Sequence, residues 1–269
     1  MTIILLPFLI LSAAGACACC IAIGYRGLAF AGMLLVFFVA GFFALLLAML
    51  VCIAIISIFI DVTKPQRRRD TFFQWLTGYV MGLVTVLSRI RLHVSGLEKI
   101  PEGRWLLVCN HRSNYDPIVA GWVLRRRGIA FISKPENLKI PVVGPVIHKA
   151  CYLSIDREDD RAAIRTIQES ADLIRRNVVS FGIFPEGTRS HSEEMLPFRN
   201  GAFKIAQKAH VPIVVAAIRG TEKVKDNFPW RATDVYFEIC EVIGAEEAAA
   251  MKTTEIGEKV RTCITCANS

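Results

Sequence analysis

The stretch WLLVCNHRSNYDP, residues Trp105 to Pro117, joins a short apolar run to a polar turn that carries the signals of a helix start. The run Trp105–Cys109 has the length and composition of a buried strand. Ser113 followed three residues later by Asp116 forms a capping box, and Pro117 suits the first turn of a helix. A buried strand that leads into a helix is the repeating unit of an α/β fold.

The alternation of strand and helix continues to the C-terminus. A helix is predicted after Asp159 and Asp160, because Ile164, Ile167 and Ile174 recur on one face. We therefore predict an α/β domain over residues 96–269, with a largely parallel sheet flanked by helices and its ligand site at the strand C-termini. The further strand-like runs are Ile129–Ser133, Cys151–Ile155, Val178–Phe184, Ile213–Ile218 and Val235–Val242.

The N-terminal quarter has the composition of a membrane segment. The chain of 269 residues is 53% hydrophobic with a mean hydropathy of +0.42, which is too apolar for a purely soluble domain. Thr2 to Ile23 carries no charge, and after Gly24–Gly27 the apolar run resumes and reaches Ile60. A crossing needs about 20 helical residues, so residues 1–62 predict a membrane anchor of two transmembrane helices. A cleaved signal peptide is the alternative for the first run, but no positive segment precedes it and a second apolar run follows directly.

The distribution of basic residues predicts the orientation in the membrane. Lys64, Arg67, Arg68 and Arg69 follow the second run, whereas Arg26 stands alone between the runs. The positive-inside rule predicts an integral membrane protein with everything after Asp61 on the cytoplasmic face. The net charge of +8 suits an anionic membrane surface. Nucleic-acid binding is not predicted, since the basic residues are scattered and no aromatic-basic binding module is present.

Residues 63–95 are predicted as a separate basic juxtamembrane segment with an amphipathic interfacial helix. Aromatic and basic side chains mix between Thr71 and Val94, which suits a helix lying along the membrane surface. Packing of this helix against the globular domain is the alternative. The aromatic and basic residues concerned are Phe72, Phe73, Trp75, Tyr79, Arg89, Arg91 and His93.

His111 stands just past the end of a predicted strand, five residues before Asp116. The two side chains meet only if the residues between them form a turn. Asp116 would then accept from one ring nitrogen and leave the other free to take a proton. The pair is therefore a candidate general base with its orienting carboxylate. A structural histidine beside a helix cap is the alternative, and the spacing alone does not decide between them.

A second polar turn, FPEGTRS at residues 184–190, also follows an apolar strand-like run. Gly187 allows a ligand to approach the backbone, Thr188 offers a hydroxyl, and Arg189 offers a fixed fork of donors. These groups suit a phosphate. An ordinary turn with a surface arginine is the alternative.

Together these stretches resemble the 1-acyl-sn-glycerol-3-phosphate (lysophosphatidate) acyltransferases, a family of glycerolipid acyltransferases. NHRSNYD is similar to the family's first block, His-x4-Asp, and FPEGTRS is similar to its third. Val215 stands where the fourth block usually has a second proline. The four blocks are residues 110–116, residues 133–144 with 155–157, residues 184–190, and residues 197–202 with 211–214.

The resemblance implies a reaction and a role for the first block. His111 would take the proton from the free hydroxyl of 1-acyl-glycerol-3-phosphate while Asp116 holds the imidazole. The acyl donor would be a fatty-acyl thioester, either acyl-CoA or acyl-carrier protein, and the product phosphatidic acid. No metal or other cofactor is expected. The alternatives are an acyltransferase for another lysophospholipid, an enzyme that remodels or hydrolyses acyl lipids, and a membrane lipid-binding protein without catalysis.

The resemblance also implies the residues that bind the acceptor. Arg189, with Gly187 and Thr188, would hold the phosphate, and Lys134 in the second block would be a second cation. Glu186 would either contact the acceptor or fix Arg189 by an ion pair.

Overall fold

A computed structural model describes residues 2–66, 68–156, 159–190 and 194–268. The chain forms two compact units, Met1–Asp61 and Val62–Ser269. Arg67 of the predicted basic cluster and Arg157 of the second sequence block lie outside the described residues.

The first unit is a hairpin of two helices, α1 (Thr2–Ile23) and α2 (Gly27–Ile58). Both are long and apolar enough to cross a membrane. Small side chains allow close packing of helices in such a hairpin. Ser12, Ala16 and Cys20 recur every fourth residue of α1 and are buried, and Gly41 of α2 lies against Ser12. At 32 residues, α2 exceeds the length that one crossing needs.

The second unit contains a seven-stranded sheet in the order β1-β7-β6-β2-β5-β3-β4. Strands β6, β2, β5, β3 and β4 run parallel, β7 is antiparallel to β6, and β1 is parallel to β7. The predicted α/β fold with a largely parallel sheet is confirmed, and each predicted strand is present. The strands are β1 (Ile90–Ser95), β2 (Leu106–Cys109), β3 (Ile129–Ser133), β4 (Leu153–Ser154), β5 (Ser180–Ile183), β6 (Ile213–Arg219) and β7 (Thr233–Ile243).

Helices pack on the sheet in two groups. In one group α3 contacts both α4 and α6, and in the other α8 contacts both α7 and α10, while α11 packs on β6 and β7. Trp105, Phe181, Phe203 and Phe237 are the largest fully buried side chains of the described residues. The helices are α3 (Thr71–Leu87), α4 (Asp116–Val123), α5 (Pro135–Leu138), α6 (Val143–Lys149), α7 (Asp160–Arg175), α8 (Lys204–Ala209), α9 (Val224–Asn227), α10 (Ala245–Ala250) and α11 (Thr253–Asn268).

The predicted helix Thr71–Val94 is wrong at its C-terminal end. Helix α3 ends at Leu87, and Ile90–Ser95 is an edge strand paired with β7. In this strand apolar and polar residues alternate, which is the period of a strand and not of a helix. The sheet therefore begins before the predicted boundary at residue 96, and α3 itself packs on α4 and α6 within the second unit.

Candidate active site

Polar residues that follow four strands meet at the carboxyl-terminal end of the parallel strands, which we call the active-site edge of the sheet. Strand β2 lies between β5 and β6 and runs parallel to both, so the three strands end at the same edge. Carboxyl ends of parallel strands are where α/β proteins bind ligands. The segments that follow these strands are Asn110–Asp116 after β2, Phe184–Ser190 after β5 and Gly220–Lys223 after β6, and Lys134 follows β3.

Asn110 fixes the backbone immediately before His111. Its side chain is fully buried, Nδ2 donates to the Ile218 carbonyl at 2.8 Å, and Oδ1 accepts from the Ile218 amide at 2.8 Å. Because both groups of the amide are satisfied by one residue of β6, the end of β2 cannot shift without breaking two buried hydrogen bonds. Sequence reasoning did not identify this contact.

His111 and Asp116 form the predicted pair. His111 Nδ1 lies 2.9 Å from Asp116 Oδ2, and the side chains are 17% and 0% exposed. The same carboxylate oxygen accepts from the backbone amides of Arg112 and Ser113, each at 2.7 Å. Backbone amides can only donate, so Oδ2 is an acceptor in this site. His111 Nδ1 must therefore carry the hydrogen of this bond, and Nε2 is left as an acceptor. Asp116 thus holds the turn before α4 and orients the imidazole at once. The predicted capping box is not formed, because Asp116 is itself the first residue of α4 and the Ser113 hydroxyl accepts from the Tyr115 amide.

Thr221 occupies the second oxygen of Asp116. Its buried hydroxyl donates to Asp116 Oδ1 at 2.5 Å, from the turn that follows β6. With this bond both oxygens of the buried carboxylate have donors. Sequence reasoning missed Thr221, since the contact joins residues 105 positions apart and depends on β6 lying beside β2.

Glu186 holds the backbone of the site. Its Oε1 accepts from the His111 amide at 2.6 Å and its Oε2 from the Leu196 amide at 2.9 Å. Burial raises the pKa of Glu186, against the lowering effect of these two amide bonds. Among the described contacts, the partners of both oxygens are these backbone amides, and the ion pair with Arg189, one of the two roles considered for Glu186, is not among them. The Ser190 amide donates to the His111 carbonyl at 2.8 Å. The segment after β5 therefore binds both the amide and the carbonyl of His111.

The C-terminal helix supports this arrangement. Arg261 of α11 donates from Nη1 to the Met195 carbonyl at 3.0 Å and from Nη2 to the Leu196 carbonyl, and its guanidinium lies over the Phe198 ring. Leu196 is the residue whose amide holds Glu186. A chain of contacts therefore connects α11 to the backbone of His111.

His111 and Arg189 open into the same cavity, whose volume is about 950 Å³. Gly187, Thr188 and Lys134 also line it, so all the predicted acceptor-binding residues except Glu186 reach this space. Gly187 has φ of +76°, a conformation that strongly favours glycine, and its amide donates to the Phe184 carbonyl. The turn after β5 therefore depends on Gly187 to direct its side chains toward the cavity.

The lining of the cavity includes both cationic and apolar side chains. Arg199 and Lys204, which sequence reasoning did not identify, line it together with Lys134 and Arg189, whereas Asp160 is the acidic residue among the described lining. The His111 ring stacks on Phe184 at 4.4 Å between centroids, and Phe184 stacks on Phe131. We call the apolar part of the lining the apolar wall, which comprises these rings together with Ile118, Ile132, Ile147, Tyr152, Ile155, Ile167 and Ile183.

The described residues of the site offer cationic groups and backbone amides, and they contain no cluster of metal-binding side chains. Across residues 2–66, 68–156, 159–190 and 194–268, no group of three or more His, Cys, Asp or Glu side chains could hold a metal ion. The oxygens of Asp116 and Glu186 are occupied by the donors described above.

Comparison with known proteins shows which family the domain resembles. Residues 91–219 match the family model named Acyltransferase. This range contains the His111–Asp116 pair, the turn after β5, strands β2 to β6 and all of β1 except Ile90. Over this range, slightly less than half of the chain, the protein resembles an acyltransferase domain.

Curated relatives show which members of that family the chain is similar to. The chain is 33% identical over 147 residues to a 1-acyl-sn-glycerol-3-phosphate acyltransferase of Limnanthes alba, covering 54% of this chain and 52% of the relative. It is 36% identical over 132 residues to the human 1-acyl-sn-glycerol-3-phosphate acyltransferase alpha, covering 49% and 46%. The chain thus spans about half the length of these curated relatives.

A solved structure has the same fold. The crystal structure of a 1-acyl-sn-glycerophosphate (LPA) acyltransferase from Thermotoga maritima superposes with a TM-score of 0.55 at 25% identity, covering 72% of this chain and 81% of that one. The resemblance to the 1-acyl-sn-glycerol-3-phosphate acyltransferases predicted from the four sequence blocks is confirmed.

Proposed function

We propose that the protein is an acyltransferase that moves a fatty acyl group from an acyl thioester to the free hydroxyl of 1-acyl-glycerol-3-phosphate, forming phosphatidic acid. The observation that carries the proposal is the shared cavity, in which His111, oriented by Asp116, and the guanidinium of Arg189 face one space with an apolar wall. The donor is acyl-CoA or acyl-carrier protein, and both present the same thioester.

The proposed reaction uses His111 Nε2 as the general base. As the acceptor oxygen attacks the thioester carbonyl carbon, its proton passes to Nε2, and Asp116 stabilises the imidazolium that forms. The carbon–sulfur bond then breaks, and the leaving thiolate recovers the proton from the imidazolium. The products are an ester and a free thiol, and the protein returns to its starting state without forming a covalent intermediate.

The rest of the cavity suits the two ends of the acceptor. Arg189 and Lys134, with Arg199 and Lys204 nearby, supply positive charge for the phosphate, and guanidinium groups bind phosphate with two parallel hydrogen bonds. The apolar wall suits a hydrocarbon chain. Glu186 binds neither end in this proposal, because both of its oxygens hold backbone amides.

The proposed lipid acceptor is consistent with membrane anchorage. We propose that α1 and α2 cross the bilayer and that the second unit lies on the cytoplasmic face, on the basis of their apolar length and of the basic residues that follow them. An anionic bilayer surface, the lipid acceptor and the thioester donor are then the partners of the protein.

The test is an assay of the purified full-length protein with a small matrix of lysolipids and the two donor types. We expect phosphatidic acid from 1-acyl-glycerol-3-phosphate, and a loss of about 10²–10⁴-fold in turnover for His111→Ala with lysolipid binding retained. A wild-type rate for His111→Ala would contradict the mechanism. Free fatty acid as the main product would instead indicate a hydrolase, and binding without turnover a lipid-binding protein.

A further inference from the structure

The edge of the sheet that carries the site also carries an exposed aromatic loop. Residues Phe228 to Arg231 connect α9 to β7, and the side chains of Phe228 and Trp230 are 48% and 85% exposed. Exposure of an entire indole to water is unfavourable in the absence of a partner. Neither sequence reasoning nor the proposed reaction gives these rings a role.

The loop is held in place by its own backbone. The Phe228 amide donates to the Val224 carbonyl at 3.0 Å, and the Arg231 amide donates to the Asn227 carbonyl at 2.7 Å. The Asn227 side chain donates to Thr233 Oγ1 at 2.9 Å and closes the base of the loop. The two aromatic rings are therefore presented by a hydrogen-bonded turn.

The C-terminal end of α3 lies beside this loop. Arg89 Nη1 donates to the Pro229 carbonyl at 3.3 Å, and the Thr233 amide donates to the Arg89 carbonyl at 3.1 Å. Leu87, which precedes this contact, is 63% exposed. We call the resulting surface, formed by Leu87, Arg89, Phe228, Trp230 and Arg231, the aromatic-basic edge.

The register of the sheet puts the aromatic-basic edge at the same end as the His111–Asp116 pair. Strand β1 begins opposite the first residue of β7, with Ile90 beside Thr233, and β7 begins near the end of β6. The end of β6 lies beside the end of β2, which leads into His111. A direct contact joins the two regions, since Ser88 Oγ lies 3.4 Å from the hydroxyl of Tyr115.

We propose that the aromatic-basic edge inserts into the headgroup region of the bilayer and so presents the active-site end of the sheet to the membrane. This inference rests on the proposed function, which places the acceptor in the bilayer. Tryptophan and phenylalanine beside arginine are the composition of membrane-interface contacts, because the rings enter the boundary of the acyl chains while the cations meet anionic headgroups. Leu87 adds aliphatic surface to the same contact.

The length of the connecting segment supports the bilayer as the occupant. About 12 residues separate the end of α2 at Ile58 from the start of α3 at Thr71, a segment that reaches at most about 40 Å. A domain tethered so closely to a membrane-spanning helix meets the lipid surface far more often than any soluble partner. The exposed rings of the edge therefore face lipid as their most abundant apolar neighbour.

Tryptophan fluorescence tests the contact directly. The full-length protein is reconstituted in vesicles of phosphatidylcholine and phosphatidylglycerol containing lipids with a nitroxide at headgroup depth. The emission of Trp230→Phe, subtracted from that of the wild type, gives the contribution of Trp230. We expect this contribution to be strongly quenched by the nitroxide lipids, while that of the buried Trp105, isolated in the same way with Trp105→Phe, is not. Equal, weak quenching of both residues would overturn the proposal.

A second measurement separates this proposal from the proposed function. Phe228→Ser/Trp230→Ser should lower kcat/KM about 10-fold for a long-chain acceptor embedded in the vesicles, since loss of two interfacial rings weakens the contact by about one power of ten. The same variant should keep the wild-type rate on a short-chain acceptor dissolved in water. Val94→Ser, an exposed apolar position toward the opposite end of β1, is the matched control and should change neither rate.

Each outcome has a separate meaning. Equal losses on both acceptors would indicate damage to the site and would overturn the membrane contact. No loss on either acceptor would also overturn it. A wild-type protein that acylates no lysolipid would refute the proposed function, whereas the quenching of Trp230 would still report whether the edge meets lipid.

Discussion

Replacement of Asp116 by Asn separates the two roles of this carboxylate. Three N–H groups point at Oδ2, from His111 Nδ1 and from the backbone of Arg112 and Ser113. The amide oxygen of the variant should take this position, because a backbone N–H cannot become an acceptor. The amide nitrogen then faces Thr221, whose hydroxyl can turn to accept from it. The two bonds from the backbone turn and the histidine tautomer should survive, and the negative charge is lost.

The size of the effect follows from the distance between the two groups. Unit charges 2.9 Å apart interact with about 6 kcal/mol at an effective dielectric constant of about 20. If about half of the imidazolium charge has developed in the transition state, the variant loses about 3 kcal/mol, or about 10² in kcat, and full proton transfer gives about 10⁴. The KM values should stay near those of the wild type, since Asp116 is fully buried and does not line the cavity.

The assay is the initial rate of phosphatidic acid formation by the full-length protein in detergent, with thermal unfolding followed in parallel. Asp116→Ala serves as the comparison variant, because it also removes the acceptor of the Arg112 and Ser113 amides and should therefore unfold at a lower temperature, with a further loss of about 1–3 kcal/mol. A folded Asp116→Asn protein whose kcat falls less than about threefold would refute the reasoning from charge stabilisation.

Three further outcomes are expected from residues around the pair. Thr221→Val should destabilise the protein by about 1.5–3 kcal/mol and lower kcat, because Asp116 Oδ1 loses its donor. Thr221→Ser keeps the hydroxyl and should keep both the stability and kcat near the wild-type values. Equal unfolding temperatures for the two variants would contradict this reasoning. Arg189→Ala should raise KM for the phosphate-bearing acceptor about 10–100-fold and change KM for the donor little. Arg126→Ala, which removes an exposed arginine, is the control variant. Equal changes in KM for both substrates would rule out the phosphate contact. Burial raises the pKa of Glu186 above 4.5. Between pH 4.5 and the raised pKa the folded state therefore binds more protons than the unfolded state, and the free energy of unfolding should fall as pH rises. Urea unfolding of Glu186→Gln should lack this pH dependence, and an unchanged dependence would assign it to another group.

Much of the fold could be predicted because its signals are local. Each buried strand of the parallel sheet is a continuous apolar run, and the two N-terminal helices are apolar over lengths that few soluble helices reach. Strand β1 was missed because its alternation of apolar and polar residues is short and directly follows the aromatic helix α3. An edge strand buries little surface, so its sequence is less apolar than that of a central strand.

The candidate site was predictable only where its contacts lie close in sequence. His111 and Asp116 are five residues apart, and the turn between them requires no knowledge of the sheet. The bonds of Asn110 to Ile218 and of Thr221 to Asp116 join β2 to β6, and no sequence pattern indicates that these strands are neighbours. Glu186 was identified as a site residue, but its bonds to the His111 and Leu196 amides were not predicted. They depend on how the loop that contains Leu196 folds back on the site.

The several restraints on His111 have an entropic consequence. Its amide, its carbonyl and Nδ1 each have a hydrogen-bonding partner, and its ring lies against Phe184. The rotational freedom of this side chain is thus lost when the chain folds and not when the lipid arrives. A substrate that enters the cavity meets an imidazole already immobilised, so binding need not supply the free energy to order it.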